Sequence, residues 1–332
     1  MATAEPLQRR EFVASNLVRD HPPRWHDRNK RLVYEIVCPD GSEQKGHISC
    51  SRWSAMELPE RADMGAALGR VIERPGFYDY APLPELNAVE WHVNFADSHL
   101  FVAYSSSLLA QDELQVLEHP ALGSVREALE ASGDPALTVE RGQPTPVLVA
   151  GVERRCHLAT EANAEEGRPH GLYGNQFARA SADAIRRATH RLEPPTSSNI
   201  IAMEAPPGGW GAYDESTIRY ILTTAYTGFR AAALESRRLR QDAPTVVHTG
   251  FWGCGAYGGN RTLMALLQFV ASGLAGLDRL VFHTGDNSGG SFLRDAERVC
   301  RKEWGDARPV RTRDLTARLA ALEFKWGVSN GT

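Results

Sequence analysis

The chain predicts an α/β fold in which a mixed sheet is flanked by helices, and three observations carry that expectation. From Ala88 onward, short apolar runs of strand length alternate with longer segments of helical spacing. Val246-Val247-His248 is followed by a glycine-dense loop and then by Leu263, Leu266, Leu267 and Val270, which is strand, loop and helix in succession. With 332 residues, 42% hydrophobic and 23% charged, the chain can bury a large core as one large domain or two smaller ones.

Taken in order, residues 1–65 form an N-terminal accessory segment with a β-hairpin, 31–37 and 44–49, around the turn signal Pro39-Asp40-Gly41-Ser42. The alternating region then fills 66–332. Strands are expected at 88–95, 146–150, 199–203, 246–248 and 280–283. Helices are expected at 108–118, 123–131, 215–235, 260–272, 290–303 and 312–324. Pro194-Pro195 to Ser198 and Pro206 to Gly209 read as loops.

A net charge of -4 and the absence of a long Lys/Arg run give no electrostatic footprint for nucleic acid. Met1 to Arg10 has no apolar signal core and no segment is long enough to span a bilayer, so no membrane partner and a cytoplasmic location are expected. Five cysteines without a C-x-x-C pair suggest reduced thiols, not disulfides or a zinc site. The eleven histidines show no H-E-x-x-H spacing, and neither a metal nor another cofactor is expected.

The stretch from Thr249 to Asn260 reads as a phosphate cradle. Glycines let backbone N–H groups approach a diphosphate, and the following helix adds partial positive charge. Gly253, Gly255 and Gly258 also fit G-x-G-x-x-G, with Asp286 as a late ribose acid, so a nucleotide-dependent oxidoreductase stays open at this point. Cys254 reads as a small loop-packing residue. A second constellation is Gln111-Asp112-Glu113 at a helix start. Consecutive helical side chains diverge by about 100°, so the two acids cannot act as a symmetric pair; one can bind a ribose hydroxyl while the other transfers a proton.

These motifs together carry a resemblance. Val93-Asn94-Phe95-Ala96-Asp97, Gln111-Asp112-Glu113 and Glu118-His119-Pro120 resemble the V-D-F-A-N, Q-E-E and N-P motifs of poly(ADP-ribose) glycohydrolases. TGFWGCGAYGGN, from Thr249 to Asn260, resembles that family's TGNWGCGAFGGD. Ile200 to Ala205, Ala225 to Phe229, Leu263 to Gln268 and Val281 to Asp286 match further family segments in the same order. The resemblance covers about 90–322 and implies a macrodomain-like mixed sheet flanked by helices that binds ADP-ribose.

It further implies that Glu113 is the general acid/base, since cleaving a ribose O-glycosidic bond requires a protonated leaving oxygen and an activated water. Asp112, Asn94 and Asp97 would organise the distal ribose, with Gln111 beside them. Gly253, Cys254, Gly255, Ala256, Tyr257, Gly258 and Gly259 would hold the diphosphate, and Tyr173 or Phe177 the adenosine side. Thr284 falls on the family's T-F segment. Two departures stand out. Asp112 replaces a glutamate, and Phe101-Val102-Ala103 replaces the family's G-G-G loop, with Ser105 to Ser107 as alternative donors. The expected activity is therefore hydrolysis of an ADP-ribosyl or NAD-derived O-glycoside, with an inactive ADP-ribose-binding module as the alternative.

Overall fold

The computed structural model describes residues 4–305, 309–329 and 331. The chain begins with β1 (Gln8–Val13), α1 (Ala14–Asp20), α2 (Arg28–Val37), β2 (His47–Arg52), β3 (Arg61–Ala62), α3 (Met64–Leu68), β4 (Val71–Arg74) and β5 (Val89–Ala96). It continues through α4 (Gln111–Glu118), α5 (Ala121–Ser132), β6 (Val139–Glu140), β7 (Gln143–Pro144), β8 (Val147–Leu158), α6 (Gln176–Arg179), α7 (Ala182–Ala188) and β9 (Thr189–Glu204). The remainder is α8 (Glu215–Leu239), β10 (Thr245–Thr249), α9 (Arg261–Ala275), β11 (Arg279–His283), α10 (Gly289–Trp304), β12 (Val310–Arg311) and α11 (Thr312–Ala321).

Eight of these strands make one mixed sheet in the order β1-β2-β8-β9-β5-β10-β11-β4. The five from β9 to β4 are parallel, whereas β8 runs antiparallel to β9 and β2, and β1 antiparallel to β2. The carboxyl ends of β9, β5, β10 and β11 therefore share one edge. In an open α/β sheet the crevice outside those ends is where ligands bind.

Side chains alternate between the two faces, as a strand's period of two requires. Trp91, Val93, Ile201, Met203, Val247, Leu280 and Phe282 pack with residues of α8 and α9 in one core. On the other face Ala96, Ile200 and Ala202 pack with residues of α2, α4 and α5. His92 lies on this second face, stacked on His248 at 4.3 Å between ring centroids.

The expected hairpin does not form. Residues 31–37 belong to α2, whose first turn is capped by the Asp27 carboxylate accepting from Asn29 N at 2.9 Å and Lys30 N at 3.0 Å. Val33 and Val37, four apart, are buried, so the run follows the helical period and not the strand period. The strand that follows, β2, pairs with β1 and β8, which makes the N-terminal segment the edge of the main sheet. Pro194 to Ser198, expected as a loop, lies within β9. The β8–β9 register shifts beside the prolines, the irregular position at which a sheet tolerates them.

Candidate active site

The two acids enter the site because α4 is fastened to the end of β5. Gln111, its first residue, accepts from Phe95 N at 2.7 Å and donates to Val93 O at 3.2 Å, replacing the pairing a sheet neighbour would make. Asp112 Oδ1 accepts from Asn94 Nδ2 at 3.0 Å, and Glu113 Oε2 accepts from Ala110 N at 2.8 Å. Both carboxyls are buried in the first turn. Burial raises the Asp112 pKa and the Glu113 charge raises it further, while the Asn94 bond and Lys30 oppose the rise. Burial also raises Glu113; the charge of Lys30 and the amide of Ala110 pull it down. The adjacent acids therefore hold protons to higher pH than free carboxyls.

The glycine loop lies over the neighbouring strand end. Trp252 Nε1 donates to Met203 O at 3.0 Å, and a Cβ on Gly253, whose φ is +75°, would stand 2.4 Å from Ala205 Cβ. Tyr257 then reaches back, its hydroxyl 3.5 Å from Asp97 Oδ2 and 3.4 Å from Glu204 Oε1. The loop residues divide by task. The amides of Cys254, Gly258 and Gly259 bond to Phe251 O, Gly255 O and Gly253 O, so they shape the loop. Among the described residues, the amides of Gly255, Ala256 and Tyr257 make no hydrogen bond, which leaves three consecutive donors for an anion. The Cys254 thiol points to Trp252 O at 3.6 Å, and burial drives its pKa far up, so it stays protonated.

Tyr173 stands at the opposite margin, 40% exposed, next to Gly174, whose amide donates to Leu109 O at 2.8 Å just ahead of α4. Loss of water and the Glu113 charge push its hydroxyl up to about 12. Phe177, its sequence alternative, is fully buried in the core and offers no face to a ligand. Thr284 is buried at the end of β11, its amide bound to Arg74 O at 3.0 Å, on the far side of β10 from Asp112 and Glu113. Asp286 is held in an ion pair with Arg261 at 2.8 Å, and that partner and Ser288 hold its carboxyl well below the usual carboxylate range without a ribose.

Phe101 does not project into the crevice. Its ring is fully buried among the residues of the second core, and its φ is +51°, in the left-handed region that glycine adopts freely. The replaced glycine loop thus keeps one glycine-like backbone conformation while its side chain anchors inward. Val102, beside it, is 44% exposed.

Two further residues belong to the site. Glu204 ends the apolar run of β9, and burial and then the Asp97 charge push its pKa up to about 7. An acid at the carboxyl end of a parallel strand is the signal that marks it. Lys30 arrives from α2 with its side chain fully buried and has no motif to announce it.

Among the described residues, no group of three or more His, Cys, Asp and Glu side chains is arranged to hold a metal ion, and no helix is long and apolar enough to cross a membrane.

Residues 163–289 match the family model described as poly(ADP-ribose) glycohydrolase (PARG), macro domain fold. Among solved structures, the chain is similar to a poly(ADP-ribose) glycohydrolase from Thermomonospora curvata at 15% identity and a TM-score of 0.42, over 87% of this chain and 85% of that one. A T. curvata structure bound to the inhibitor ADP-HPD gives 16% and 0.42 over 88% and 84%. The enzyme from Deinococcus radiodurans in complex with ADP-ribose gives 16% and 0.41, over 88% and 95%. The matched segment contains β9 and the whole glycine loop, and over it the chain is similar to the macro domain of poly(ADP-ribose) glycohydrolases.

Proposed function

We propose that the chain hydrolyses the ribose O-glycosidic bond of an ADP-ribosyl group, with Glu113 as general acid and then general base. The observation that supports this most is the meeting of two half-sites at one sheet edge. The buried Asp112–Glu113 pair comes from α4 and three unbonded amides come from the loop after β10, with Tyr257 and Asp97 between them. The amides suit a diphosphate. Asn94 and Asp97 suit ribose hydroxyls, Asn94 having a buried Oδ1 without a protein partner among the described residues.

In this reading a protonated Glu113, favoured by its burial, gives its proton to the leaving oxygen as positive charge develops on the ribose ring. The resulting carboxylate takes a proton from the attacking water, which restores the acid. Asp112, fixed by Asn94, holds a hydroxyl of the same ribose. The substrate is an ADP-ribosylated protein or small molecule.

Release assays on serine-, threonine- and arginine-linked ADP-ribose and on polymer, alongside Glu113→Gln, test the assignment. The variant is expected to bind ADP-ribose and lose at least about a hundredfold in turnover; retained turnover removes Glu113 from this role. One observation favours a second reading, an ADP-ribose-binding module without hydrolysis: the segment corresponding to the family's glycine loop is anchored by Phe101 in the core. Binding with no release from any of the four substrates would select it.

A further inference from the structure

Lys30 is buried with its ammonium donating to Tyr104 O at 2.8 Å, in the segment that directly follows the Phe101-Val102-Ala103 replacement of the family's glycine loop. The same N-terminal stretch holds that segment at further points. Asp27 N donates to Ser105 O at 3.0 Å, Arg24 N to Tyr104 Oη at 2.7 Å, and Trp25 meets the Tyr104 ring edge-on at 5.1 Å. On its other side α2 grips the segment after Tyr173, with Asn29 Nδ2 donating to Phe177 O at 2.7 Å. One short helix thus ties together two margins of the crevice.

A buried ammonium with a single carbonyl partner is costly unless negative charge stands near. Burial brings the Lys30 pKa down to about 8, and the charges of Glu113, Asp27 and Asp112, in that order, hold it up. Asp27 is engaged in capping α2, which leaves the acid pair of α4 as the field Lys30 serves.

We propose that Lys30 is a positioning residue for Glu113: from α2 its buried ammonium fixes the loop that leads into α4 and stands as the cationic partner of the acid pair. The inference rests on the reading of Glu113 as acid/base. The titratable and charged groups whose fields meet at the acid pair are Lys30 from α2, Asp112 and Glu113 on their own helix, Asp97 after β5 and Tyr173 from the opposite loop. Lys30 is the positive one among them.

The test uses the full chain with Lys30→Met, which keeps the apolar stem, and Lys30→Arg, which keeps the charge. The Glu113 carboxyl is followed by 13C NMR titration, turnover by ADP-ribose release, and affinity by calorimetry with ADP-ribose. In Lys30→Met the Glu113 titration is expected to move up by about one pH unit and the alkaline limb of the rate profile to follow it. Turnover should fall roughly tenfold at pH 7 with ADP-ribose Kd within about threefold, and Lys30→Arg should restore most of both. An unchanged Glu113 titration, or equal losses in turnover and affinity, overturns the proposal. If Lys30→Met does not fold, Lys30→Gln gives the same titration. Wild-type protein that releases nothing from any substrate would defeat the hydrolase reading, whereas the NMR titration still decides the part assigned to Lys30.

Discussion

Asn94 Nδ2 donates to Asp112 Oδ1 across 3.0 Å, and this bond joins the carboxyl end of β5 to the first turn of α4. Together with the two Gln111 bonds to the β5 backbone it sets where the acid pair sits relative to the sheet edge. Set against the V-D-F-A-N motif, Val93-Asn94-Phe95-Ala96-Asp97 has the acid and the amide exchanged. The structure supplies the physical sense of the exchange: an amide at Asn94 can donate to a buried carboxylate, and a second carboxylate there would repel it.

Asn94→Leu removes the donor while keeping the volume, leaving Asp112 buried with less support for its charge. The donor lowers the Asp112 pKa, so its loss raises the folded-state value further. Asp112 is protonated in both native proteins below its wild-type folded value of about 8, so no charge-linked difference arises there; the difference grows as pH rises through that value and is complete above the variant's. A loss of about 1–3 kcal/mol is expected at about pH 10 and much less at about pH 6. Urea unfolding of both proteins at the two pH values checks it, and an equal loss at both would show that packing, not charge, is what Asn94 contributes.

Glu204 gives a second pH signature. Its folded pKa of about 7 lies above the ordinary glutamate value of 4.5, so between these values the native state holds a proton that the unfolded state releases. Stability therefore declines as pH rises through that window and levels off above about 7, a cost on the order of 3 kcal/mol. Glu204→Gln carries no such charge and should gain on the wild type as pH rises from 4.5 to 7.5. Thermal melts across that range would refute the assignment if the difference between the two proteins stays constant.

The sheet-forming runs from Ala88 to His283 were legible because their apolar residues recur with clear periods, and the helices after residue 214 because theirs do. The glycine loop and Gln111-Asp112-Glu113 were legible as motifs. What stayed hidden has particular causes. Residues 31–37 contain β-branched and aromatic residues at positions that fit two periods, and only Asp27 as a cap favours the helix. The length of β9 was masked by Pro194 and Pro195, which sit where the β8–β9 register breaks. Lys30 was invisible because its role depends on contacts with Tyr104 and charges more than 80 positions away in sequence. Phe177 and Tyr173 are near neighbours of equal aromatic promise, and only tertiary burial separates them.

Phe101 sets two effects against each other. Phe101→Gly relieves a left-handed backbone at φ +51°, a gain of about 1–2 kcal/mol. It also removes a fully buried aromatic ring from the core, a loss of roughly 3–5 kcal/mol. The cavity term wins, so the variant should unfold at lower denaturant than the wild type. Restoring glycine here should not create a family-like loop, because Asp27, Lys30 and Arg24 still hold residues 104 and 105. A variant as stable as the wild type would mean that the ring is not anchored as described.

Trp326 offers the last test, at the far side of the glycine loop. Its ring stacks on Tyr213 at 4.1 Å and 16°, and covers Gly209 so closely that a Cβ there would lie 2.2 Å from the ring. The tail it belongs to is bonded to the loop: Gly327 N donates to Gly258 O at 2.8 Å, and Asn260 Nδ2 donates to Lys325 O at 2.9 Å. Tyr213 in turn accepts from Asn260 N at 2.9 Å through its hydroxyl. Trp326→Ala should therefore release the tail and loosen the end of the loop, at a cost of about 2–4 kcal/mol because the ring is only partly buried. Amide exchange at 258–260 should accelerate, and ADP-ribose affinity should weaken severalfold, since a looser loop must be ordered on binding. Val328→Ala, at a side chain 93% exposed on the same tail, should change stability by less than about 0.5 kcal/mol. Hydrogen exchange by mass spectrometry on the three proteins separates the outcomes; unaltered exchange at 258–260 in Trp326→Ala would show that the loop keeps its shape without the tail.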